Sequence, residues 1–163
     1  MPPIALSRSV VYVDGLNQLI PIEVALAGGL MVRGHDGALR DLASVHGSYR
    51  LLTETPRALT ALGTFLARIQ VAAVHVILDA QVSNTGRLAH CMRQLAATHA
   101  WPWQVIVSPQ TDMLLKQIAG VVATSDSAIL DVAVSWCDLA AAVIAQHVPQ
   151  AWYLDLDVPP PTV

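Results

Sequence analysis

Charge is scarce in this 163-residue chain: Asp, Glu, Lys and Arg make up 13% of it, nine basic against twelve acidic, for a formal net charge of −3. That scarcity, beside an apolar content of 54%, excludes the disordered class, which depends on high charge and low hydrophobicity. The sign of the net charge excludes a strongly basic protein that coats nucleic acid, though not a local basic groove. Aromatic residues are only 5% of the chain, too few to advertise tight binding of a long single strand by stacking. Cysteine occurs twice, at Cys91 and Cys137, with no Cys or His nearby in zinc-ligand spacing, so both read as core or partly buried thiols.

Long apolar runs are also missing. The longest uncharged stretches, 94–111 and 139–154, are broken by Pro, His, Gln or Thr, and neither makes a bilayer span. Met1-Pro2-Pro3 does not open a basic and then apolar leader, so the expectation is a cytoplasmic protein without a membrane helix. What is present is a single domain's worth of apolar sequence, residues 1–158, followed by a proline-rich tail at 159–163. A mean hydropathy of +0.51 is high for a small monomer and points to a homo-oligomer that buries part of this surface.

Strand-like and helix-like segments alternate. Residues 10–13 are β-forming and end on Asp14-Gly15, which reads either as a turn or as a carboxylate delivered to a strand tip. A helix is predicted over 16–27, with Pro21 in its first turn and Gly28-Gly29 as a stop, then a turn-rich segment and a helix over 38–46 with Asp36 near its cap. Thr55-Pro56 opens a helix to about 70, and strands at 74–79, 104–107 and 121–124 are each followed by a helix: 87–98, 108–118 and a long one at 128–146. A short strand is expected at 152–154. The pattern predicts a three-layer α/β/α sandwich on a mainly parallel central sheet of four to five strands.

Three of the four main strands end on or beside aspartate, at Asp14, Asp79 and Asp126. Asp112 and Asp131 fall about one turn inside helices that start from the same rim. Each alone is explained as a turn or cap residue. Five together, in a chain so short of charge, predict a shared site, because ligands of parallel sheets bind just beyond the strands' carboxyl ends. Clustered carboxylates repel and hold protons unless a cation sits among them. Oxygen donors without Cys or His suit Mg²⁺ or Mn²⁺, whose waters a substrate phosphate can displace. The implied chemistry is phosphoryl transfer or phosphodiester hydrolysis, with Asn17 orienting a ligand or water. Asp138, seven residues after Asp131 on the same predicted helix, would stand about 10 Å further along it and out of reach of the same ion.

The order of motifs, Val-Asp-Gly-Leu-Asn at 13–17, Leu-Asp-Ala at 78–80, Thr-Asp at 111–112 and Ala-Thr-Ser-Asp at 123–126, resembles that of the PIN-like nucleases, particularly the NYN branch, over residues 9–146. It also resembles an uncharacterised bacterial and archaeal PIN-like family with Asp-Gly-x-Asn and Thr-Ser-Asp-Ser signatures. The resemblance implies catalytic, metal-binding roles for Asp14, Asp112 and Asp126, with Asp79 and Asp131 completing or supporting the site and Asp131 included among the metal ligands. Ser125 would add hydrogen bonds, although capping accounts for it equally well. The implied activity is that of an endoribonuclease acting with Mg²⁺ or Mn²⁺ on single-stranded or structured RNA. PIN-like domains that have lost activity serve as scaffolds, so the alternative is a catalytically inactive RNA-binding or oligomeric interaction module.

The polar segment after the first helix, with Arg33, His35, Asp36, Arg40 and Asp41, either contacts substrate or is a solvated helix held by local ion pairs. Arg87 offers a similar phosphate contact. Asp155-Leu156-Asp157 superficially matches a Toprim-like acid pair, but no glutamate tips the first strand as that arrangement requires.

Overall fold

The computed structural model describes residues 6–42 and 47–156. In chain order its elements are β1 (Val10–Asp14), α1 (Gly15–Leu26), β2 (Met31–Arg33), β3 (Leu39–Asp41), α2 (Thr55–Arg68), β4 (Ala73–Asp79) and α3 (Thr85–His99). There follow β5 (Trp103–Ser108), α4 (Thr111–Lys116), β6 (Val121–Ala123), α5 (Ser127–Leu130), β7 (Ser135–Cys137), α6 (Leu139–His147) and β8 (Tyr153–Asp155).

Five strands form one sheet in the order β5-β4-β1-β6-β7, every neighbouring pair parallel. The chain steps from β1 outward through β4 to β5, then returns to the other side of β1 for β6 and β7. The strand order therefore reverses between β1 and β6, which opens a crevice at their carboxyl ends. Val11, Val13, Val74, Val76, Leu78, Val121 and Ala123 point to one face, where α1, α2, α3 and α6 supply the main core. The opposite face carries a smaller core of Ile77 and Val122 against Leu115 of α4 and Ile129 of α5. The expected three-layer α/β/α arrangement is thus present, with one helical layer much thinner than the other. Each large aliphatic side chain buried in it stabilises the fold by about 1.5–3 kcal/mol, which is why strands covered on both faces read as unbroken apolar runs.

Two sequence expectations fail here. The long helix at 128–146 is interrupted: α5 is one turn, the chain then extends as β7 beside β6, and α6 starts afresh at Leu139 with Asp138 Oδ1 accepting the Ala141 amide at 2.9 Å. Val132 and Val134 favour extended backbone, and β7 completes the sheet edge. Asp131 and Asp138 therefore do not share a helix face. The helix at 38–46 is replaced, over its described part, by a β-hairpin: β3 pairs antiparallel with β2, and residues 43–46 lie outside the described set. The turn is built by Gly37, whose φ of 80° suits glycine, and by Asp36 Oδ1 accepting the Ala38 amide at 3.1 Å.

Smaller differences have equally local causes. The strand expected at 152–154 exists as β8, but it joins β2 and β3 in a separate three-stranded sheet. Pro21 lies inside α1, not in its first turn, and forfeits one helical hydrogen bond. The helix expected from 108 begins at Thr111, because Ser108 is still in β5, and its hydroxyl accepts the Gln110 amide at 3.1 Å. Cys91 is half-buried and Cys137 buried, both as free thiols, as their surroundings in the sequence suggest. The proline-rich tail lies outside the described residues.

Glu23 of α1 is buried beside α2, accepting a hydrogen bond from Tyr49 Oη at 2.6 Å and another from Thr55 Oγ1. Gly15 opens α1 hard against β4: a Cβ there would sit 2.5 Å from Leu78 Cδ2 and 2.9 Å from Val76 Cγ1. The Asp14-Gly15 pair is consequently a strand-to-helix junction in close contact with its neighbour, and not a reversing turn.

Candidate active site

At the switch point a cleft of about 320 Å³ opens, lined among others by Asp14, Asn17, Asp41, Asp79, Asp112 and Asp126. Asp14 ends β1, Asp79 ends β4, Asp112 is the second residue of α4, and Asp126 caps α5. Three acids expected at strand endings and a fourth expected inside a helix are thereby brought together from four separate elements. Among the described residues no Lys or Arg lines the cleft. A neighbouring cleft of about 370 Å³ shares Asp79, Thr111 and Asp112 with it.

Hydrogen bonds across β1 and β6 hold the floor. Val13 pairs with Ala123, so Thr124, fully buried, lies level with Asp14 and donates its Oγ1–H to Asp14 Oδ2 at 3.0 Å. Thr124 Oγ1 also accepts the Asp126 amide at 3.1 Å. Asn17 Oδ1 accepts from the Ser125 amide at 2.6 Å and the Ser125 hydroxyl at 2.9 Å. Asp126 Oδ1 takes the Ala128 amide at 2.8 Å, and Asp79 Oδ1 takes the Gln81 amide at 2.8 Å, so both are also ordinary cap or turn acids.

Electrostatics single out Asp14. Burial pushes its carboxyl up to about 7, the Thr124 hydrogen bond opposes this, and the charges of Asp126 and Asp112 raise it further. Near neutral pH the group is divided between its two protonation states, as expected of a carboxyl facing like charges without a cation.

The other residues picked from the sequence fall elsewhere. Asp131 is exposed, closes α5 and does not line the cleft. Ser125 is buried and bonded to Asn17, which makes it part of the scaffold beneath the acids. Arg40 forms an ion pair with Asp36, and Arg33 one with Asp155 at 3.6 Å, on a hairpin where a helix was expected. Arg87 is exposed on α3, away from the lining. Asp138 is half-buried; burial raises its pKa, and its Oδ2 accepts the Leu39 amide at 2.7 Å, pinning the hairpin to α6.

Thr124 was given no site role from the sequence, and Asp41 was named only within the polar segment that either contacts substrate or is solvated. Thr124 stood inside the quoted Ala-Thr-Ser-Asp motif, two residues before the acid whose amide it receives. Asp41 reaches the cleft only because its segment is a hairpin.

These features define an α/β protein with an acidic cleft at the switch point of a parallel sheet. The chain belongs to the family described as a domain of unknown function (DUF5616), which matches residues 3–142. It is also 35% identical over 120 residues to an uncharacterized protein of Methanocaldococcus jannaschii; the match covers 74% of this chain and 57% of the archaeal protein. The chain thus spans less than two thirds of that relative's length. No solved structure matches it. Among the described residues no helix is long and apolar enough to cross a membrane.

Proposed function

We propose that the chain is a metal-dependent nuclease of the PIN-like type, an endoribonuclease that hydrolyses phosphodiester bonds at the acidic cleft. The observation that carries this reading is the meeting of Asp14, Asp112 and Asp126, from β1, α4 and the cap of α5, in one open cleft where Asp14 is under electrostatic pressure from the other two.

The donor set fits a hard divalent ion of a particular kind. Among the described residues no set of three or more His, Cys, Asp or Glu side chains is arranged to hold a metal. Mg²⁺ and Mn²⁺ sites that keep most of their waters need only one or two carboxylates, with substrate phosphate supplying more oxygens. Asp14 and Asp126, coupled through Thr124, are the pair that would hold such an ion, with Asp112 in the same cleft. A bound ion supplies an activated water and offsets charge on the phosphate. The chain's own contribution is positional: Thr124 fixes the spacing of Asp14 and Asp126, and Asn17 clamps the 124–125 backbone to the start of α1.

A cleavage assay on mixed RNA and DNA pools with Mn²⁺ tests the reading. Wild type is expected to cut RNA, and Asp126→Asn to cut at least 100-fold more slowly; equal cutting by both would assign the activity to a contaminant and sink the proposal. The absence of a three-donor group favours, as second reading, a non-catalytic RNA-binding or oligomeric module. Calorimetric titration separates the two, since that module binds neither Mg²⁺ nor Mn²⁺.

A further inference from the structure

Two strand edges of this molecule are finished differently. In the main sheet, Pro102 and Ser108 carbonyls accept the Val74 and Ala80 amides, so the even-numbered residues of β5 bond β4 and Val105 turns its C=O to the open side. There Arg93 Nη2 donates to it at 2.7 Å, which obstructs the approach of another strand. In the three-stranded sheet β8 is an edge. Trp152 O accepts the Met31 amide at 3.0 Å, and the Leu156 amide donates to Arg33 O at 3.1 Å. Residues 152, 154 and 156 therefore direct their main-chain groups to β2, and Tyr153 turns its N–H and C=O outward. Among the described residues no side chain hydrogen-bonds to them.

The side chains at this edge are apolar and uncovered. Of the thirteen exposed large hydrophobics among the described residues, four fall within 152–156, with Trp152 65% and Leu154 55% exposed. Alternation puts Trp152, Leu154 and Leu156 on one face, beside Val32, and Tyr153 and Asp155 on the other. On that second face Arg33 pairs with Asp155, and its guanidinium lies 5.4 Å from the centre of the Tyr153 ring. Apolar surface gathered at an open strand edge is a template for pairing with another strand.

We infer that β8 pairs antiparallel with β8 of a second copy of the chain, about a two-fold axis at Tyr153. In that register the two Tyr153 residues exchange their main-chain hydrogen bonds, Trp152 stands opposite Leu154 of the partner subunit, and Ala151 opposite the partner subunit's Asp155. The segment is thus complementary to itself: one face gains two Trp–Leu pairs, and no like charges stand opposite each other. A strand of another protein would have to supply a matching pattern, whereas the two-fold contact draws it from the same residues and closes both edges at once. The joined sheet runs β3-β2-β8-β8-β2-β3, with the two β3 strands about 24 Å apart at its ends. Asp41 of β3 lines the acidic cleft, so the contact lies away from both clefts. The pairing does not rest on the nuclease reading.

Sedimentation velocity of the full chain, over a hundredfold concentration range reaching a few hundred micromolar, tests this. One short strand and its side chains make a small contact, so wild type is expected to pass from monomer to dimer within that range. Leu154→Lys, a charge at the edge, should weaken the dimer at least about 10-fold. Tyr153→Pro removes an N–H that bonds nothing in the monomer and should do the same; denaturant midpoints check that it folds, and Leu154→Lys carries the test if it does not. Val134→Lys, which charges the most exposed hydrophobic away from β8, should dimerise within twofold of wild type. Self-pairing is overturned if wild type stays monomeric throughout, if Leu154→Lys dimerises within twofold of wild type, or if Val134→Lys costs as much. Register is read by mild oxidation, with wild type and its free Cys91 and Cys137 as background. Tyr153→Cys should cross-link, because directly opposite bonded residues have Cα atoms about 5.5 Å apart, within disulfide reach. Leu154→Cys, opposite Trp152 and not itself, should not; the reverse result would overturn the axis at Tyr153.

Discussion

Thr124 donates its hydroxyl to the Asp14 carboxylate at 3.0 Å from the neighbouring strand, joining residues 110 positions apart in the chain. Because the same oxygen receives the Asp126 amide, one buried hydroxyl sets the relation between two acids that repel each other. The carboxylates are thus held close by hydrogen bonds while their charges oppose it.

Replacing Thr124 by valine keeps the shape and removes the hydroxyl's bonds to Asp14, Asn17 and the Asp126 amide. The variant is expected to lose about 1–3 kcal/mol of stability, the cost of leaving buried polar groups unpaired. Since the hydroxyl holds the Asp14 pKa down, the Asp14 titration should move above about 7, and Thr124→Ser should restore it. Carbon-detected NMR titration of Asp14 reads this directly; an unmoved titration would mean the hydroxyl does not control the carboxyl.

Asp14 itself makes stability depend on pH in a defined direction. Its folded pKa, about 7, lies above the usual carboxylate value of 3.8, so the folded chain binds this proton more tightly than the unfolded chain does. No penalty exists below the unfolded value; stability falls as pH rises from about 4 and levels off above about 7. Asp14→Asn should abolish this fall and be more stable than wild type at pH 8, by up to about 4 kcal/mol. Mn²⁺ should stabilise wild type at pH 8 and leave Asp14→Asn unaffected. Denaturant midpoints at pH 4, 6 and 8, with and without the ion, check all three points.

The strand endings were readable because a sheet covered on both faces demands continuous apolar runs, so the polar residue that stops each run marks the rim. The helical layer was less readable. Residues 128–146 are rich in Ala, Val and Leu, and such a run satisfies a buried helix or a buried strand equally; the decisive mark was Asp138, a cap in the middle of it. Asp36-Gly37 suits a hairpin turn, yet Asp36 also suits a helix cap and Gly47 a helix stop, and those end signals misled.

Glu23 gives a second pH-dependent test away from the cleft. Burial raises its pKa, and the hydrogen bonds from Thr55 and Tyr49 act against that rise. Tyr49→Phe removes one of them, so Glu23 should become harder to ionise. The variant is expected to lose about 1–3 kcal/mol at pH 8, where the charged form most needs its donors, and less at pH 4, where the raised pKa favours the proton. Equal losses at the two pH values, in urea unfolding curves, would show that Tyr49 acts by packing alone.

Two glycine-to-alanine changes separate helix propensity from contact at the junction that carries Asp14. Gly86, in the first turn of α3, has open space around it, and alanine there should stabilise by about 0.5–1 kcal/mol. At Gly15 the added methyl meets Val76, which is stiff because it is β-branched, and lies 3.1 Å from the Ile77 carbonyl oxygen, which is backbone. Relief requires α1 to move off β4, so Gly15→Ala should cost about 1–3 kcal/mol despite its better propensity. The movement would carry Asp14 and Asn17 with it, and Mn²⁺ stabilisation should fall together with the denaturant midpoint. If stability drops while the ion still stabilises as in wild type, the acids are positioned by the β1–β6 hydrogen bonds alone and the packing of α1 on β4 is irrelevant to the cleft.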